Sequence, residues 1–87
     1  MTKPVDILII EDDADIASLM VMQLTHRKGF QCEVVSHGDH AKERLLKSHC
    51  RLAILDRMLP GLSGMQLLRW LRKESSIANT PILMVTA

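Results

Sequence analysis

Short continuous runs of apolar residues occur four times along the chain, and three more polar segments separate them. Such runs, bounded by charged or turn-forming residues, are typical of strands that are buried on both faces of a parallel sheet. The predicted strands are VDILII at 5–10, FQCEVV at 30–35, RLAIL at 51–55 and PILMV at 81–85.

In the three intervening segments the apolar residues recur at helical spacings, which predicts amphipathic helices. The predicted apolar stripes are Ile16, Leu19, Met20 and Leu24, then Ala41, Leu45 and Leu46, then Met65, Leu68 and Leu71. Gly29 is the expected end of the first helix, while Asp39 and Ser63 are the expected N-caps of the second and third. Strands and helices alternate throughout, which predicts an α/β fold with right-handed crossovers and a parallel sheet.

Acidic residues follow two of the predicted strands directly. Glu11 and Asp12 come after the first strand, Asp56 comes after the third, and the hydroxyl residue Thr86 comes after the fourth. Because parallel α/β sheets bind ligands at the carboxyl ends of their strands, we expect these side chains to meet at one edge. Three carboxylates repel one another there unless a cation neutralises them, and Mg²⁺ prefers oxygen ligands. In such a site Asp56 is the candidate nucleophile for phosphoryl transfer.

Each of these residues also has a structural explanation. Asp13 and Asp15 fit the first turn of the following helix, where negative charge is favourable, and we do not count them as ligands. Taken singly, Asp56 fits a loop cap and Thr86 fits an ordinary β-branched strand residue. The occurrence of all these residues at the ends of neighbouring strands favours a functional site.

The composition limits the possible partners and the compartment. A chain of 87 residues suits one domain, and a net charge of +1 without a basic run argues against direct contact with nucleic acid. Since no apolar run has the length of a membrane span, we expect a cytoplasmic protein with no membrane partner and with reduced cysteines. A zinc site is disfavoured because the available ligands lack the spacing of a compact finger; they are Cys32, His37, His40, His49 and Cys50.

Three stretches together resemble the receiver domains of bacterial two-component response regulators. They are ILIIEDDADI, LAILDRMLPGLSGMQLLRWLR and TPILMVTA, and the resemblance spans almost the whole chain. It implies a flavodoxin-like fold, a three-layer parallel α/β arrangement with strand order 2-1-3-4-5. It also implies that residues 1–87 form an incomplete receiver, with four strands and three helices of the usual five and five.

The resemblance assigns a role to each candidate residue. Asp56 takes the place of the phosphoacceptor, Asp12 that of a direct Mg²⁺ ligand, and Glu11 that of an acid acting through water. Met58 would contribute its main-chain carbonyl to the metal. The Thr86 hydroxyl and the Ala87 amide would contact the phosphoryl group.

The family pattern continues beyond residue 87 with a fourth helix, a fifth strand ending in a lysine, and a fifth helix. We therefore expect an uncovered sheet face that promotes self-association or exchange of elements between copies. The expected phosphodonor is a sensor histidine kinase or a phosphotransfer protein. DNA would be reached only through an output domain outside these residues, with transcription regulation as the outcome.

Two other functions remain open at this point. A receiver without the lysine could act as a binding or dimerisation module that is not switched by phosphorylation. A magnesium-dependent phosphohydrolase is disfavoured, because Met58 stands where such enzymes commonly place a second carboxylate.

Overall fold

The computed structural model describes residues 5–74 and 76–85. Strands and helices alternate in the predicted order. The elements are β1 Val5–Ile10, α1 Ala14–Lys28, β2 Cys32–Val35, α2 Gly38–Lys47, β3 Cys50–Asp56, α3 Gly64–Lys73 and β4 Ile82–Val85.

All four strands form one parallel sheet in the order β2-β1-β3-β4. The two central strands are the first and the third, so Ile9 of β1 lies between Val34 of β2 and Ile54 of β3. The predicted parallel sheet and the flavodoxin-like strand order are confirmed. The order reverses at β1, which places a topological switch point beside the carboxyl ends of β1 and β3.

Local signals explain where two of the three helices begin or end. Ser63 caps α3, as its position predicted, and it also forms a capping box with Gln66. Gly29 follows α1 with a φ of 73°, a left-handed conformation that costs glycine little. The prediction for Asp39 was wrong: His37 occupies the N-cap of α2 without a side-chain hydrogen bond, and Asp39 lies inside the first turn.

The core is divided by the sheet into two unequal parts. On one side α2 and α3 pack against the sheet through Leu45, Leu67 and Leu71. On the other side the buried residues are Ile7, Ile9 and Ile54, and α1 is the described helix that packs against them, through partly buried residues that include Met20 and Leu24. Three layers are therefore present, and the side of α1 is covered less completely.

Two predicted stripes differ from what the structure buries. In α1, Ile16 and Leu19 are exposed, whereas Ala17 between them is buried. In α3, Leu67 and Leu71 are the fully buried residues, while Met65 is exposed. Helical spacing predicted that these segments are helices, but it did not identify which apolar positions meet the sheet.

The cysteines and the helices show two further properties. Cys32 and Cys50 are both free, and each is partly buried. Among the described residues, no helix is long and apolar enough to cross a membrane.

Candidate functional site

Three carboxyl groups meet where the central strands end. Ile10 of β1 pairs with Leu55 of β3, so the next residues, Glu11 and Asp56, lie side by side at the same edge. Glu11, Asp12 and Asp56 each offer a carboxylate oxygen, and these oxygens all lie within 4.8 Å of one another. The register of two parallel strands therefore brings together acids that are more than forty positions apart in the sequence.

Glu11 is the buried member of this acidic cluster, with 5% of its surface exposed. Its amide donates to the Val35 carbonyl at 3.0 Å, and its Oε1 accepts from the Asp13 amide at 3.1 Å. Burial raises the pKa of Glu11, and the neighbouring Asp56 and Asp12 carboxylates raise this pKa further, although the Asp13 amide opposes them. The folded protein thus holds a proton on Glu11 more tightly than a free glutamate would.

Asp56 is partly buried at the end of β3 and has a fixed local partner. The Met58 amide donates to Asp56 Oδ1 at 3.1 Å, while the Met58 side chain is exposed. This contact orients the carboxyl group without using the Met58 side chain. The role proposed for the Met58 carbonyl is separate from this amide contact and stays a prediction.

The loop after Asp56 returns tightly against the strand end. The Gly64 amide donates to the Arg57 carbonyl at 3.1 Å, and a Cβ on Gly64 would overlap the Asp56 carbonyl oxygen and lie 2.9 Å from the Arg57 Cα. Only glycine fits at this close approach of two backbones. The start of α3 is thereby held directly against the segment that carries Asp56.

The remaining acids of the first loop do not join the acidic cluster. Asp13 is the N-cap of α1, and its Oδ1 accepts from the Asp15 amide at 2.9 Å and the Ile16 amide at 3.1 Å. Asp15 lies in the first turn of the helix. Asp15 therefore lies in the first turn as predicted, whereas Asp13 is the N-cap just before it; that neither is a metal ligand stays a prediction.

Thr86 and Ala87 lie outside the described residues, and their assigned roles stay predictions. The last described residue, Val85, pairs with Asp56 and accepts a hydrogen bond from the Arg57 amide at 3.2 Å. The fourth strand therefore runs directly beside the strand that carries Asp56.

The backbone amides of Asp13 and Met58 are site contacts that the sequence analysis missed. Each donates to a carboxylate two residues earlier, on Glu11 and Asp56 respectively. Acidic side chains at turns commonly accept from an amide two positions on, so this spacing is the signal that could have predicted both contacts.

The chemistry of the acidic cluster fits a small divalent cation. Within the described ranges it is the one group of three or more potential metal-binding side chains. Mg²⁺ takes six oxygen ligands at about 2.0–2.1 Å, several of them water, so oxygens on opposite sides of the ion lie about 4 Å apart. A separation of up to 4.8 Å suits a mixture of direct and water-mediated carboxylates.

In doubly wound α/β domains, ligands bind at the carboxyl ends of the strands beside the switch point, which is where this chain places its acidic cluster. Residues 7–87 match the response regulator receiver domain. The chain belongs to this family, whose members act as phosphoacceptor switches in two-component signalling.

Two of the similar proteins are named as transcriptional regulatory proteins. The chain is 42% identical over 81 residues to the transcriptional regulatory protein GltR of Pseudomonas aeruginosa, covering 93% of this chain and 33% of that protein. It is 38% identical over 81 residues to the phosphate regulon transcriptional regulatory protein PhoB of Rhizobium meliloti, with 93% and 35% covered. The chain thus spans about a third of the length of these relatives.

Solved receiver structures share the fold. The N-terminal domain of a response regulator receiver protein from Methanoculleus marisnigri superposes with a TM-score of 0.89 at 26% identity, covering 95% of this chain and 67% of that chain. The BeF3-activated N-terminal receiver domain of RstA from Klebsiella pneumoniae gives 0.84 at 33% identity, with 93% and 66% covered.

Proposed function

We propose that this chain is the phosphoacceptor module of a two-component system, with Asp56 as the residue that is phosphorylated. The observation that carries the proposal is the convergence of Asp56 with Glu11 and Asp12, whose carboxylate oxygens lie within 4.8 Å of one another at the carboxyl edge of the sheet. The donor is a phosphohistidine on a sensor histidine kinase or a phosphotransfer protein, which is the chemistry used by the family to which the chain belongs.

The transfer forms one bond and breaks one. A carboxylate oxygen of Asp56 attacks phosphorus, the phosphorus–nitrogen bond to the donor imidazole breaks, and its electron pair stays on the imidazole nitrogen. The product is an acyl phosphate on Asp56. The Met58 amide, which donates to Asp56 Oδ1 at 3.1 Å, holds the carboxyl group in one orientation during the attack.

Asp12 and Asp56 would bind Mg²⁺ directly, the Met58 carbonyl would be a further ligand, and buried Glu11 would act through water. When bound, the ion offsets the negative charge of the carboxylates and of the transferring phosphoryl oxygens. Burial raises the pKa of Glu11, so this carboxylate should support the ion less well as the pH falls and the group takes up a proton.

The chain acts as a switch rather than as an enzyme with an external product. The Thr86 hydroxyl and the Ala87 amide are the proposed contacts of the attached phosphoryl group, and they would couple phosphorylation to movement of a loop. In a longer protein this module would control an output domain. The relatives named as transcriptional regulatory proteins support regulation of transcription as that output.

Intact-mass measurement after incubation with Mg²⁺ and a small phosphodonor tests the proposal. We expect one added phosphoryl group in the wild type, none in Asp56→Asn, and none when EDTA removes the ion. Asp15→Asn is the matched control, because Asp15 lies in the first turn of α1, near the acidic cluster in sequence but outside it, and this variant should be modified like the wild type.

The other outcomes identify the alternative functions. A wild-type chain that folds and gains no phosphoryl group would indicate a binding module without phosphorylation. Continuous release of phosphate from an ester, with no stable adduct, would indicate a phosphohydrolase.

A further inference from the structure

The loop between β3 and α3, residues 57–63, packs against the start of α2. Gly38, the first residue of α2, is buried, and a Cβ added to it would lie 2.6 Å from both the Cβ and the carbonyl oxygen of Leu62. Carbon atoms in good contact lie about 3.5–4.0 Å apart, so a larger residue at position 38 would displace the loop.

The backbone conformation of Gly38 does not itself require glycine. The glycines with a positive φ are Gly29 and Gly61, so alanine could adopt the backbone conformation of Gly38. Alanine is also the better helix former, and helix propensity alone would favour it at this position. The contact with Leu62 is therefore the structural feature that calls for glycine at the start of α2.

Further contacts hold the middle of this loop in place. Leu59 and Leu62 are partly buried and pack against the core cluster on the side of α2 and α3, whereas Met58 is 74% exposed. A Cβ on Gly61 would lie 3.4 Å from the Asp39 carboxylate in the first turn of α2. The loop thus meets the first turn of α2 at two successive residues.

The same loop carries the residue next to the acidic cluster that is proposed to bind the metal. The Met58 amide donates to Asp56 Oδ1 at 3.1 Å, and the Gly64 amide closes the loop by donating to the Arg57 carbonyl at 3.1 Å. Leu62 follows Met58 by four positions, inside this closed segment. Because both ends of the segment are fixed, a shift at Leu62 must change the backbone dihedrals around Met58.

We propose that Gly38 is a positioning residue for the Mg²⁺ site. By leaving room for Leu62, it allows the loop to settle on α2 and so fixes the Met58 carbonyl relative to Asp56. Mg²⁺ requires near-ideal octahedral geometry, so a small displacement of one ligand weakens binding. This role depends on the proposed function, in which the Met58 carbonyl is a ligand, and Gly38 itself contacts neither the ion nor the phosphoryl group.

Calorimetric titration with Mg²⁺ alone tests the proposal. In Gly38→Ala we expect the dissociation constant for Mg²⁺ to rise about tenfold or more, as is typical when a group that supports a metal ligand is changed. Gly29→Ala is the matched control, because its φ of 73° disfavours alanine but no atom lies within 4 Å of the added Cβ. It should leave the dissociation constant unchanged.

Amide NMR spectra of the metal-free protein provide a readout that does not depend on the ion. The Met58 and Leu62 amide signals should move in Gly38→Ala and stay in place in Gly29→Ala. Signals that stay in place in both variants would overturn the proposal, because the added Cβ would then leave the loop where it is.

Leu62→Ala tests the same contact without adding atoms, in case Gly38→Ala does not fold. It shortens the side chain that anchors the loop to the core, and the dissociation constant for Mg²⁺ should rise here as well. Leu46→Ala is its control, because Leu46 on α2 is 53% exposed and should not affect the loop.

The possible failures can be told apart. Wild-type affinity for Mg²⁺ in Gly38→Ala and Leu62→Ala would overturn the positioning role, and so would an equal loss of affinity in Gly29→Ala. A wild type that binds Mg²⁺ but gains no phosphoryl group would contradict the phosphoacceptor function alone. A wild type that binds no Mg²⁺ would overturn both.

Discussion

Glu11 is the residue at which burial and charge conflict most directly. Its folded-state pKa is raised above the ordinary value of 4.5, chiefly by burial, so the folded protein binds its proton more tightly than the unfolded chain does. The resulting stabilisation is fully present below the unfolded pKa and is lost as the pH rises through the raised folded pKa. At neutral pH and without a cation, ionised Glu11 therefore reduces the stability of the fold.

Glu11→Gln should remove the loss of stability that ionisation of Glu11 causes, because glutamine carries no charge. It keeps an oxygen that can accept from the Asp13 amide. In EDTA, the free energy of unfolding of Glu11→Gln relative to the wild type should rise as the pH increases from 4 to 8. Urea denaturation at several pH values measures this difference. Glu43 is exposed, so Glu43→Gln serves as the control, and its free energy of unfolding should follow that of the wild type across the pH range. A difference between Glu11→Gln and the wild type that does not change with pH would contradict the raised pKa of Glu11.

The identity of the three clustered acids was predictable from sequence, whereas their hydrogen bonds were not. Glu11 and Asp12 follow β1 and Asp56 ends β3, and the carboxyl ends of parallel strands share one edge. The amides that contact these acids depend on how the backbone turns after each strand, and many different sequences are compatible with such turns. Apolar patterning carries no information about that geometry.

At the scale of elements, the junction between β3 and α3 holds the start of α3 against the strand end that carries Asp56. Gly64→Ala would place a methyl group against the backbone of Asp56 and Arg57, neither of which can yield as a flexible side chain would. We expect a loss of about 2–4 kcal/mol in stability, measured by urea denaturation. Phosphorylation of Asp56 should also slow, because the strand end that carries it must shift.

Gly29→Ala is the matched control for that substitution. Gly29 has a φ of 73° and no atom within 4 Å of an added Cβ, so its cost is conformational and about 1 kcal/mol. Its rate of phosphorylation should stay at the wild-type value. If Gly64→Ala costs no more than Gly29→Ala, the close approach of the two backbones is not important for the fold.

The helices and strands were predictable because their sequence signals are local. The errors arose where tertiary contacts determine the residue at which a helix begins. Ser63 was identified as a cap because it stands just before the apolar stripe of α3, whereas its reciprocal hydrogen bonds with Gln66 were not predicted. Asp39 was not a cap because α2 begins at Gly38, two residues before the start that a cap at Asp39 would give. The backbone of Gly38 lies close to Leu62, from which an added Cβ would be 2.6 Å away, and this proximity to the loop after β3 leaves no trace in the helical pattern.

At the scale of the whole molecule, the two sides of the sheet contribute differently. The side of α2 and α3 buries the larger cluster, while the side of α1 leaves Leu83 and Leu19 open beside the sheet. The acidic cluster lies at the end of the strands that both sides share. Ligand binding at that edge should therefore stabilise the entire sheet rather than one helix.

Binding of Mg²⁺ to the acidic cluster should raise the thermal stability of the whole chain. A ligand at ten times its dissociation constant adds about 1.4 kcal/mol, and each kcal/mol shifts the midpoint of a domain this size by about 4–8 °C. Calorimetry at pH 7 should show this shift in the wild type and in Asp15→Asn but not in Asp12→Asn, which lacks a proposed ligand. Because Glu11 takes up a proton as the pH falls, the shift should shrink towards pH 4. An equal shift in Asp12→Asn would place the ion elsewhere.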